Sequence, residues 1–321
     1  INSTVSPNSF NDYFIPFMSK QGLTLNKEYM FIYNPYFVAL GEVTKNLKNP
    51  DLIMLGSNSK IAVNKLKKIY SKIIDDPTFK VLNFLESELV KLLLNTYLTM
   101  KISFSNIVKN ISDNDKSLDA TSMLDAIGTD KRINKNFLKV GGPFSGPCLP
   151  RDNQALLDFC NKNTIENEIS KAAIKTNNKI ILSFKKELKF LKQRKYKSIG
   201  FLGLSYKSKA KISEGSIVPD LINKSKILGL KTYIYDHYIK DLDQFELIRC
   251  RSIEEIVKKS DVIFLPYADK IFNKILRLTS NKPIVDIWGQ IHGPNIFTNF
   301  KSIYTQPKII NKSNIIKFKR K

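Results

Sequence analysis

One cysteine stands in a segment whose residue types could present it for chemistry. Cys148 lies in the segment Gly141–Asp152, which reads GGPFSGPCLPRD and contains three glycines and three prolines. Glycine lets backbone N–H groups come close to a ligand and proline restricts the chain, so we predict a rigid loop that presents the thiol. Arg151 could favour the thiolate and Asp152 could serve a nucleophilic cysteine. The residues alone leave open the alternative that Cys148 is a small buried hydrophobe in a Gly-Pro turn.

A second polar pair lies on the longest helical pattern of the chain, residues 86–110. Apolar side chains recur there at three- and four-residue steps, which predicts a helix with a broad apolar face. Lys91 and Asn95 interrupt this face and, being four residues apart, project from one side of the helix. They could belong to a polar site, although their spacing also fits a snorkelling lysine and an asparagine at a helix–helix contact.

The elements that must position these residues begin with an incomplete α/β pattern. Short apolar runs at Tyr29–Tyr33 and Leu52–Leu55 predict strands, and the spacing over Ile61–Ile74 predicts a helix with lysines on its outer face. No GxGxxG stretch occurs in or before this region. The first βαβ unit that normally holds a dinucleotide is therefore missing from this sequence.

Helices and then a second α/β pattern follow. Residues 118–127 predict a helix that ends at Gly128 as its C′ residue, and residues 153–160 and 166–191 predict two more helices. Strand patterns occur at residues 198–204, 231–235, 262–265 and 284–287, with helical patterns at residues 217–228 and 253–259. This alternation predicts a mostly parallel sheet whose ligands lie at the carboxyl ends of the strands.

Composition argues against several classes of protein. The 321 residues carry a net charge of +23, but lysines are spread along the whole chain, so we expect no nucleic-acid partner. The apolar runs fall far short of the roughly 20 residues that span a bilayer, so we expect no membrane contact. Three widely spaced cysteines predict neither a disulfide framework nor a zinc site, and His237 and His292 have no partner at ligand spacing. We therefore expect a cytoplasmic protein without a metal.

Several separated stretches, in this order, resemble the UDP-glucose/GDP-mannose dehydrogenase family of nucleotide-sugar dehydrogenases. The stretches cover nearly the whole chain and are Ser3-Thr4-Val5, Asn34-Pro35, Gly41, Pro50-Asp51, ELVKLLLNT at 88–96, KISFSN at 101–106, DKRI at 130–133, FLK at 137–139, the Cys148 segment, GLSYK at 203–207 and Tyr235-Asp236. The resemblance implies that the C6 hydroxymethyl group of a nucleotide sugar is oxidised to a carboxylate. NAD would accept the hydrides, and the product would serve the synthesis of surface polysaccharide. We expect a UDP-linked sugar ahead of a GDP-linked one.

The resemblance also implies catalytic roles for five residues. Cys148 would add to the aldehyde and later carry a thioester. Lys91 would stabilise the negative charge that develops on the reacting oxygen, and Asn95 would fix its geometry. Asp152 would position or deprotonate water, and Thr4 would help to hold that water.

A further set of residues is implied to bind ligands. The residues assigned to the substrate are Phe137, Leu138, Lys139, Arg132, Gly142 and Lys207. Arg132 would reach the sugar nucleotide of a partner subunit, and Lys207 would lie near the nucleotide end. Ser3 and Arg151 would contact NAD.

The sequence departs from the family pattern at four positions near these residues. Tyr36 stands where most members have a glutamate, and with an ordinary pKa of about 10 a tyrosine cannot replace a carboxylate base near neutral pH. Leu40 also replaces a glutamate, Glu214 replaces an arginine, and Gly215 replaces an acidic residue. These changes put the sugar that is accepted in doubt.

A larger departure concerns the NAD-binding domain. Family members begin with a complete dinucleotide-binding unit, and this sequence starts close to the last strands of that unit and without a Met, so we expect processing or a chain that begins inside a longer one. Two alternatives follow. The chain is a nucleotide-sugar 6-dehydrogenase, or it is a truncated, catalytically silent remnant that binds a sugar nucleotide or forms dimers.

We therefore predict an α/β fold in several domains. Residues 1–85 form a partial Rossmann-like domain, residues 86–192 a central helical dimerisation domain with the cysteine loop, and residues 193–305 a second Rossmann-like domain that binds the nucleotide sugar. Residues 306–321 form a basic tail. The broad apolar face of the long helix predicts a homodimer.

Overall fold

Three units follow one another along the chain: an N-terminal α/β unit, a helical unit and a C-terminal α/β unit. The computed structural model describes residues 1–115, 117–239, 248–267, 269–278, 282–289, 291, 293 and 295–305. The predicted basic tail at 306–321 and the structural role predicted for His292 lie outside these residues. The predicted α/β class, with parallel sheets on either side of a helical region, is confirmed.

The N-terminal unit contains a small parallel sheet. Its elements are a π-helical turn at Phe10–Phe14, α1 (Ile15–Lys20), α2 (Val43–Lys48), β1 (Ile53–Gly56), α3 (Lys60–Tyr70) and β2 (Phe79–Leu82). β1 pairs in parallel with β2, with Ile53 opposite Phe79. Ser59 begins α3 by accepting a hydrogen bond from the N–H of Ala62.

The predicted strand at Tyr29–Tyr33 is wrong. This run makes only isolated bridges, one of them between Tyr33 and Gly56 at the end of β1. Its aromatic rings pack instead around Phe10, whose ring centre lies 5.5 Å from that of Phe31 and 5.7 Å from that of Tyr33. The run is apolar because it fills an aromatic cluster, not because it belongs to a sheet.

A long helix forms the backbone of the helical unit. Its elements are α4 (Phe84–Asn114), α5 (Ala120–Thr129), α6 (Cys148–Lys162), α7 (Glu168–Glu187) and α8 (Lys189–Gln193). A capping box starts α4: the Asn83 side chain accepts from the N–H of Glu86 at 2.8 Å, and the Glu86 carboxylate accepts from the N–H of Asn83 at 3.0 Å. α4 packs along α6 and also contacts α5 and α7.

Two helix ends differ from the prediction. Gly128 lies inside α5, which ends at Thr129, so its predicted role as a C′ residue is wrong. Its missing side chain instead leaves room for Lys135, whose Cγ would lie 2.9 Å from a Cβ at this position. The helix predicted over 166–191 divides at the buried Leu188, where the N–H of Leu191 bonds to the Leu188 carbonyl in a tighter turn.

The C-terminal unit is a doubly wound parallel sheet. Its strands are β3 (Ser198–Leu202), β4 (Lys231–Tyr235), β5 (Ile248–Arg249), β6 (Val262–Leu265), β7 (Ile284–Asp286) and β8 (Ile296–Phe297). Its helices are α9 (Val218–Ile227), α10 (Ile253–Lys259), α11 (Ile275–Leu278) and α12 (Phe300–Thr305). The strand order is β5-β4-β3-β6-β7-β8. The chain first adds strands outward from β3 on one side and then returns to add β6 on the other, so the topological switch point lies between β3 and β6. α7 joins this unit to the helical unit by packing against α9 and α12.

The described residues lack two kinds of feature. None of their helices combines the length and the apolar character that crossing a membrane requires. No group of three or more His, Cys, Asp or Glu side chains among them is arranged to hold a metal ion.

Candidate active site

Cys148 is the first residue of α6 and not part of the rigid loop that the Gly-Pro pattern predicts. Pro147 occupies the N-cap position, and the helix runs for 15 residues. The Cys148 side chain is exposed, so the alternative of a buried hydrophobe is wrong. The first N–H groups of a helix have no partners within the helix and carry positive potential, so this position favours negative charge.

The polar face of α4 lies directly against the start of α6. The Asn95 side chain donates to Asp152 Oδ2 at 2.6 Å, and the Arg151 guanidinium reaches Asp152 Oδ1 at 2.8 Å. Asp152 is completely buried, so both of its carboxylate oxygens are held by partners from two different helices. The structure therefore brings Asn95, Arg151 and Asp152 together beside Cys148.

Lys91 lies one helical turn before Asn95 and faces the same region. Its Nζ donates to the backbone carbonyl of Tyr36 at 2.8 Å and lies 4.8 Å from the centre of the Phe37 ring. Burial lowers the pKa of the Lys91 ammonium, while the negative charges of Asp152 and Cys148 oppose that shift. Lys91 is thus a partly desolvated cation within electrostatic reach of the thiol and of the buried carboxylate.

A buried polar contact that the sequence analysis missed fixes α6 on α4. Asn153 Nδ2 donates to Thr99 Oγ1 at 3.1 Å, and Thr96 Oγ1 donates to Asn153 Oδ1 at 3.3 Å. Thr96 and Thr99 follow Asn95 on α4 and share its buried side. The sequence did contain a signal for this contact, because Thr96 and Thr99 are polar residues within an otherwise apolar helical pattern.

Two buried asparagines hold the segment that precedes Cys148. Asn106 on α4 donates to the carbonyl of Gly142, and Asn177 on α7 donates to the carbonyl of Phe144, each at 3.0 Å. On the opposite side, the Trp288 indole takes the space where a side chain at Gly142 would stand. Neither Asn177 nor Trp288 was expected from sequence, because both lie far from Gly142 along the chain.

A cleft of about 420 Å³ lies where the C-terminal unit meets the N-terminal and helical units. Its lining residues are Leu40, Gly41, Glu42, Lys139, Tyr206, Lys207, Ser208, Lys209, Tyr267 and Trp288. Burial lowers the pKa of Lys207, with the charges of Glu42 and Cys148 acting in the opposite direction. Three lysines against one glutamate make this cleft suited to an anionic ligand.

Tyr206 links the cleft to the cysteine. Burial raises the pKa of Tyr206 to about 12, and the negative charge of Cys148 adds to that shift. The tyrosine is therefore a neutral hydroxyl at physiological pH, able to donate a hydrogen bond within the cleft.

Other predicted site residues are placed differently. Leu138 is buried, whereas Phe137 is exposed and has a left-handed backbone with φ +65°. The Arg132 side chain is 86% exposed and pairs with Asp130 at 2.6 Å, outside the cleft. Ser3 is exposed and Thr4 half-buried, and none of the hydrogen bonds described for the site includes either residue.

Glu88 is a buried carboxylate that the sequence analysis did not single out. Its oxygens accept from the N–H groups of Asn8 at 2.6 Å and Phe10 at 3.1 Å, which anchors the segment after Thr4 to α4. Burial raises the pKa of Glu88, while these backbone hydrogen bonds act to lower it. Glu88 lies one turn before Lys91, so one helix holds both the Thr4 segment and the candidate catalytic residues.

Comparison with known proteins finds a family match over the middle of the chain. Residues 85–179 match the UDP-glucose/GDP-mannose dehydrogenase family, central domain. This range contains Lys91, Asn95, Cys148 and Asp152. The match therefore covers both helices that meet at the candidate site.

Relatives and a solved structure extend the similarity over most of the chain. The UDP-glucose 6-dehydrogenase of Rickettsia prowazekii is 29% identical over 89% of this chain and 68% of its own length. That of Rickettsia felis is 31% identical over 83% of this chain, which spans 60% of that relative's length. A UDP-glucose dehydrogenase structure from Pyrobaculum islandicum has the same fold, with a TM-score of 0.79 at 23% identity over 89% of this chain and 66% of that one. Residues 85–179 thus match the central domain of this family, and the wider chain is similar to UDP-glucose 6-dehydrogenases of which it spans 60% to 68% of the length.

Proposed function

We propose that this chain carries the catalytic centre of a nucleotide-sugar 6-dehydrogenase that oxidises the C6 hydroxymethyl group of a UDP-linked sugar to a carboxylate. The observation that carries the proposal is the junction of α4 and α6, where Asn95 binds Asp152 on the helix that begins at the exposed Cys148, and where the charge of Cys148 acts on Lys91. A UDP-linked sugar is favoured because the similar proteins of Rickettsia are UDP-glucose 6-dehydrogenases.

Cys148 would capture the aldehyde that the first oxidation produces. Its thiolate sulfur forms a bond to the aldehyde carbon, and the carbonyl oxygen takes the negative charge and then a proton to give a thiohemiacetal. The Lys91 ammonium can stabilise that developing charge, because burial strengthens its interaction with an oxyanion. Covalent capture also retains the aldehyde between the two oxidation steps.

Asp152 would act when the thioester is hydrolysed. The second oxidation converts the thiohemiacetal to a thioester, and water then adds to its carbonyl and releases the Cys148 thiolate. A carboxylate at Asp152 can take the proton from that water, with Asn95 and Arg151 fixing its orientation. Water is consumed and the uronic acid is released.

The cleft would hold the nucleotide diphosphate. Lys139, Lys207 and Lys209 line it, and their positive charge complements the two phosphate groups. Tyr206 and Trp288 add aromatic surface against which a sugar or a base can pack. These contacts would place the sugar toward Cys148.

The described residues do not form a complete site for NAD. The N-terminal sheet has two strands, and the turn between β1 and α3 has a single glycine, Gly56, at its start. The pyrophosphate of a dinucleotide is normally held at a glycine-rich turn that opens a helix. NAD would supply the acceptor for both hydrides, but these residues do not fit its adenosine and pyrophosphate.

A homodimer is the assembly we propose. An apolar stripe follows one face of α4 and consists of Leu93, Tyr97, Phe104, Ile107 and Ile111, each 43% to 52% exposed. The stripe extends over 18 residue steps, about 27 Å of helix. A second copy of the same stripe is self-complementary and would remove this surface from water.

Free thiols at all three cysteines agree with the cytoplasmic location that we expect.

A binding protein without catalysis is the second candidate. It is favoured by Tyr36, whose position in the family pattern belongs to a glutamate and which here gives Lys91 only its backbone carbonyl. Such a protein would keep the lysine-lined cleft and lose turnover.

Calorimetric titration with UDP, UDP-glucose and NAD tests the proposal, and titration with GDP is the control for specificity toward the base. We expect UDP and UDP-glucose to bind, and Lys207→Gln to weaken UDP binding about tenfold by removing one charge-assisted contact. Lys65→Gln, an exposed lysine on α3, is the matched control and should bind UDP normally. Formation of NADH from UDP-glucose distinguishes the dehydrogenase from the binding protein, and absence of binding to UDP and UDP-glucose would overturn both.

A further inference from the structure

Two glycine backbones from different units meet just before the cysteine helix. The N–H of Gly146 donates to the carbonyl of Gly215 at 2.9 Å. Gly146 precedes Cys148 by two residues, and Gly215 lies in the C-terminal unit shortly before α9. This backbone bond ties the start of α6 to the unit that contributes Tyr206 and Lys207 to the cleft.

The contact leaves no room for a side chain on either glycine. A Cβ at Gly215 would lie 2.5 Å from the carbonyl carbon of Gly146, and a Cβ at Gly146 would lie 2.7 Å from the ring of Tyr206. Both residues have left-handed backbones, with φ +82° at Gly146 and φ +70° at Gly215. Gly146 is therefore held between Gly215 on one side and the Tyr206 ring on the other.

Glu214, the residue before Gly215, acts electrostatically on Arg151, which follows Cys148 in α6. Burial acts to lower the pKa of the Arg151 guanidinium, but its hydrogen bond to Asp152 and the negative charges of Asp152, Cys148 and Glu214 outweigh burial and raise it. Gly215 thus binds Gly146, which precedes Cys148, and the charge of Glu214 acts on Arg151, which follows Cys148.

We propose that Gly215 is a positioning residue for Cys148: its carbonyl and bare α-carbon fix Gly146, and so fix the place of the thiol at the start of α6. This inference rests on the role proposed for Cys148 as the nucleophile. It makes the C-terminal unit, which lines the substrate cleft, part of the support of the reactive group.

The chemical consequence follows from the charges around the thiol. Lys91 on α4 and Arg151 on α6 interact electrostatically with the Cys148 thiol, and Asp152 follows it on α6. Tyr206 and Lys207 of the C-terminal unit also interact electrostatically with the thiol. A side chain at position 215 must push Gly146 away, which changes the distances from the thiol to these groups. A thiol displaced from the position that Lys91 and Arg151 face reacts more slowly with an electrophile.

The test compares two alanine substitutions with the same backbone cost. Gly215→Ala meets the Gly146 backbone, whereas Gly229→Ala, at φ +69°, meets only the flexible end of Lys192 at 3.4 Å. Alkylation of Cys148 by iodoacetamide is followed by mass spectrometry as a function of pH, with Cys148→Ser giving the background of the two buried cysteines. We expect Gly215→Ala to slow alkylation about fivefold or more across the pH series, while Gly229→Ala keeps the wild-type profile.

A second variant covers the case in which Gly215→Ala does not fold. Tyr206→Ala removes the ring that packs against Gly146 and forces no alanine into a left-handed backbone. It should slow the alkylation of Cys148, as Gly215→Ala does. Identical profiles for Gly215→Ala and Gly229→Ala would overturn the inference, as would an unchanged profile in Tyr206→Ala if Gly215→Ala is insoluble. Alkylation needs no substrate or NAD, so it tests this inference separately from the proposed function, which is tested by UDP binding and by turnover.

Discussion

The side-chain amide of Asn95 donates a 2.6 Å hydrogen bond to the carboxylate of Asp152, and this bond joins the helix that carries Lys91 to the helix that begins at Cys148. Asp152 is completely buried, and its other oxygen is held by Arg151. The same contact therefore serves the packing of α4 on α6 and the geometry of the candidate active site.

Removing that amide should destabilise the fold. Asn95→Ala leaves a buried carboxylate with one partner fewer, and we expect the free energy of unfolding to fall by about 1–3 kcal/mol. Urea denaturation monitored by circular dichroism measures the loss. Asn110→Ala, at an exposed position of the same helix, is the control and should change stability by about 0.5 kcal/mol or less. Equal effects of the two substitutions would show that the Asn95–Asp152 bond adds nothing to stability.

Glu88 should make stability depend on pH. Because burial raises its pKa, there is a pH range, starting at the ordinary glutamate value of about 4.3, in which the unfolded chain has lost this proton and the folded chain still holds it. The unfolded state then binds fewer protons, so the free energy of unfolding falls as the pH rises through this range. Glu88→Gln has no proton to lose and should not show this decline.

The measurement is the urea midpoint of wild type and Glu88→Gln at a series of pH values from 4 to 7. We expect the difference, wild type minus variant, to decrease as the pH rises. Glu86→Gln removes an exposed carboxylate from the first turn of the same helix and controls for the loss of charge. Parallel curves for wild type and Glu88→Gln would refute the assignment.

The apolar stripe on α4 should control assembly. Tyr97→Glu places a charge in the middle of the stripe, so a dimer that buries this face should dissociate at concentrations at which the wild type is dimeric. Sedimentation velocity measures the change. Asn110→Glu adds the same charge to an exposed position off the stripe and should remain dimeric. A wild-type monomer at all concentrations would contradict the proposed dimer.

Regular elements with strong periodicity were predictable from the sequence. The strands at residues 231–235 and 262–265 and the helix at residues 253–259 have the predicted bounds. Their continuous apolar runs or helical spacing are bounded by polar residues, so local pattern and tertiary burial agree. The long helix was also predicted, but its start at Phe84 depends on the capping box between Asn83 and Glu86, which the apolar pattern does not show.

The failures arose where distant residues decide the local structure. The run at Tyr29–Tyr33 is apolar because its rings pack around Phe10, and its local pattern cannot be told from that of a strand. The Gly-Pro segment indicated a loop around Cys148, yet Pro147 is tolerated as an N-cap and the helix begins at the cysteine itself.

The candidate site was predictable in its residues and not in its contacts. Spacing alone placed Lys91 and Asn95 on one side of a helix, the Gly-Pro segment singled out Cys148 and Asp152, and the resemblance to a family assigned their roles. The supports from Asn177, Trp288 and Gly215 join positions far apart in the chain, so no local pattern could reveal them.

The role of Cys148 is tested most directly by the oxidation of UDP-glucose in the presence of NAD, followed as NADH absorbance, in wild type, Cys148→Ser and Cys250→Ser. Cys250 is a buried cysteine in the core of the C-terminal unit, has no role in the proposed chemistry and serves as the control. We predict that Cys148→Ser loses about a thousandfold or more in turnover while it binds UDP within about twofold of wild type, and that Cys250→Ser keeps its turnover. Undiminished turnover in Cys148→Ser would contradict the proposed dehydrogenase mechanism.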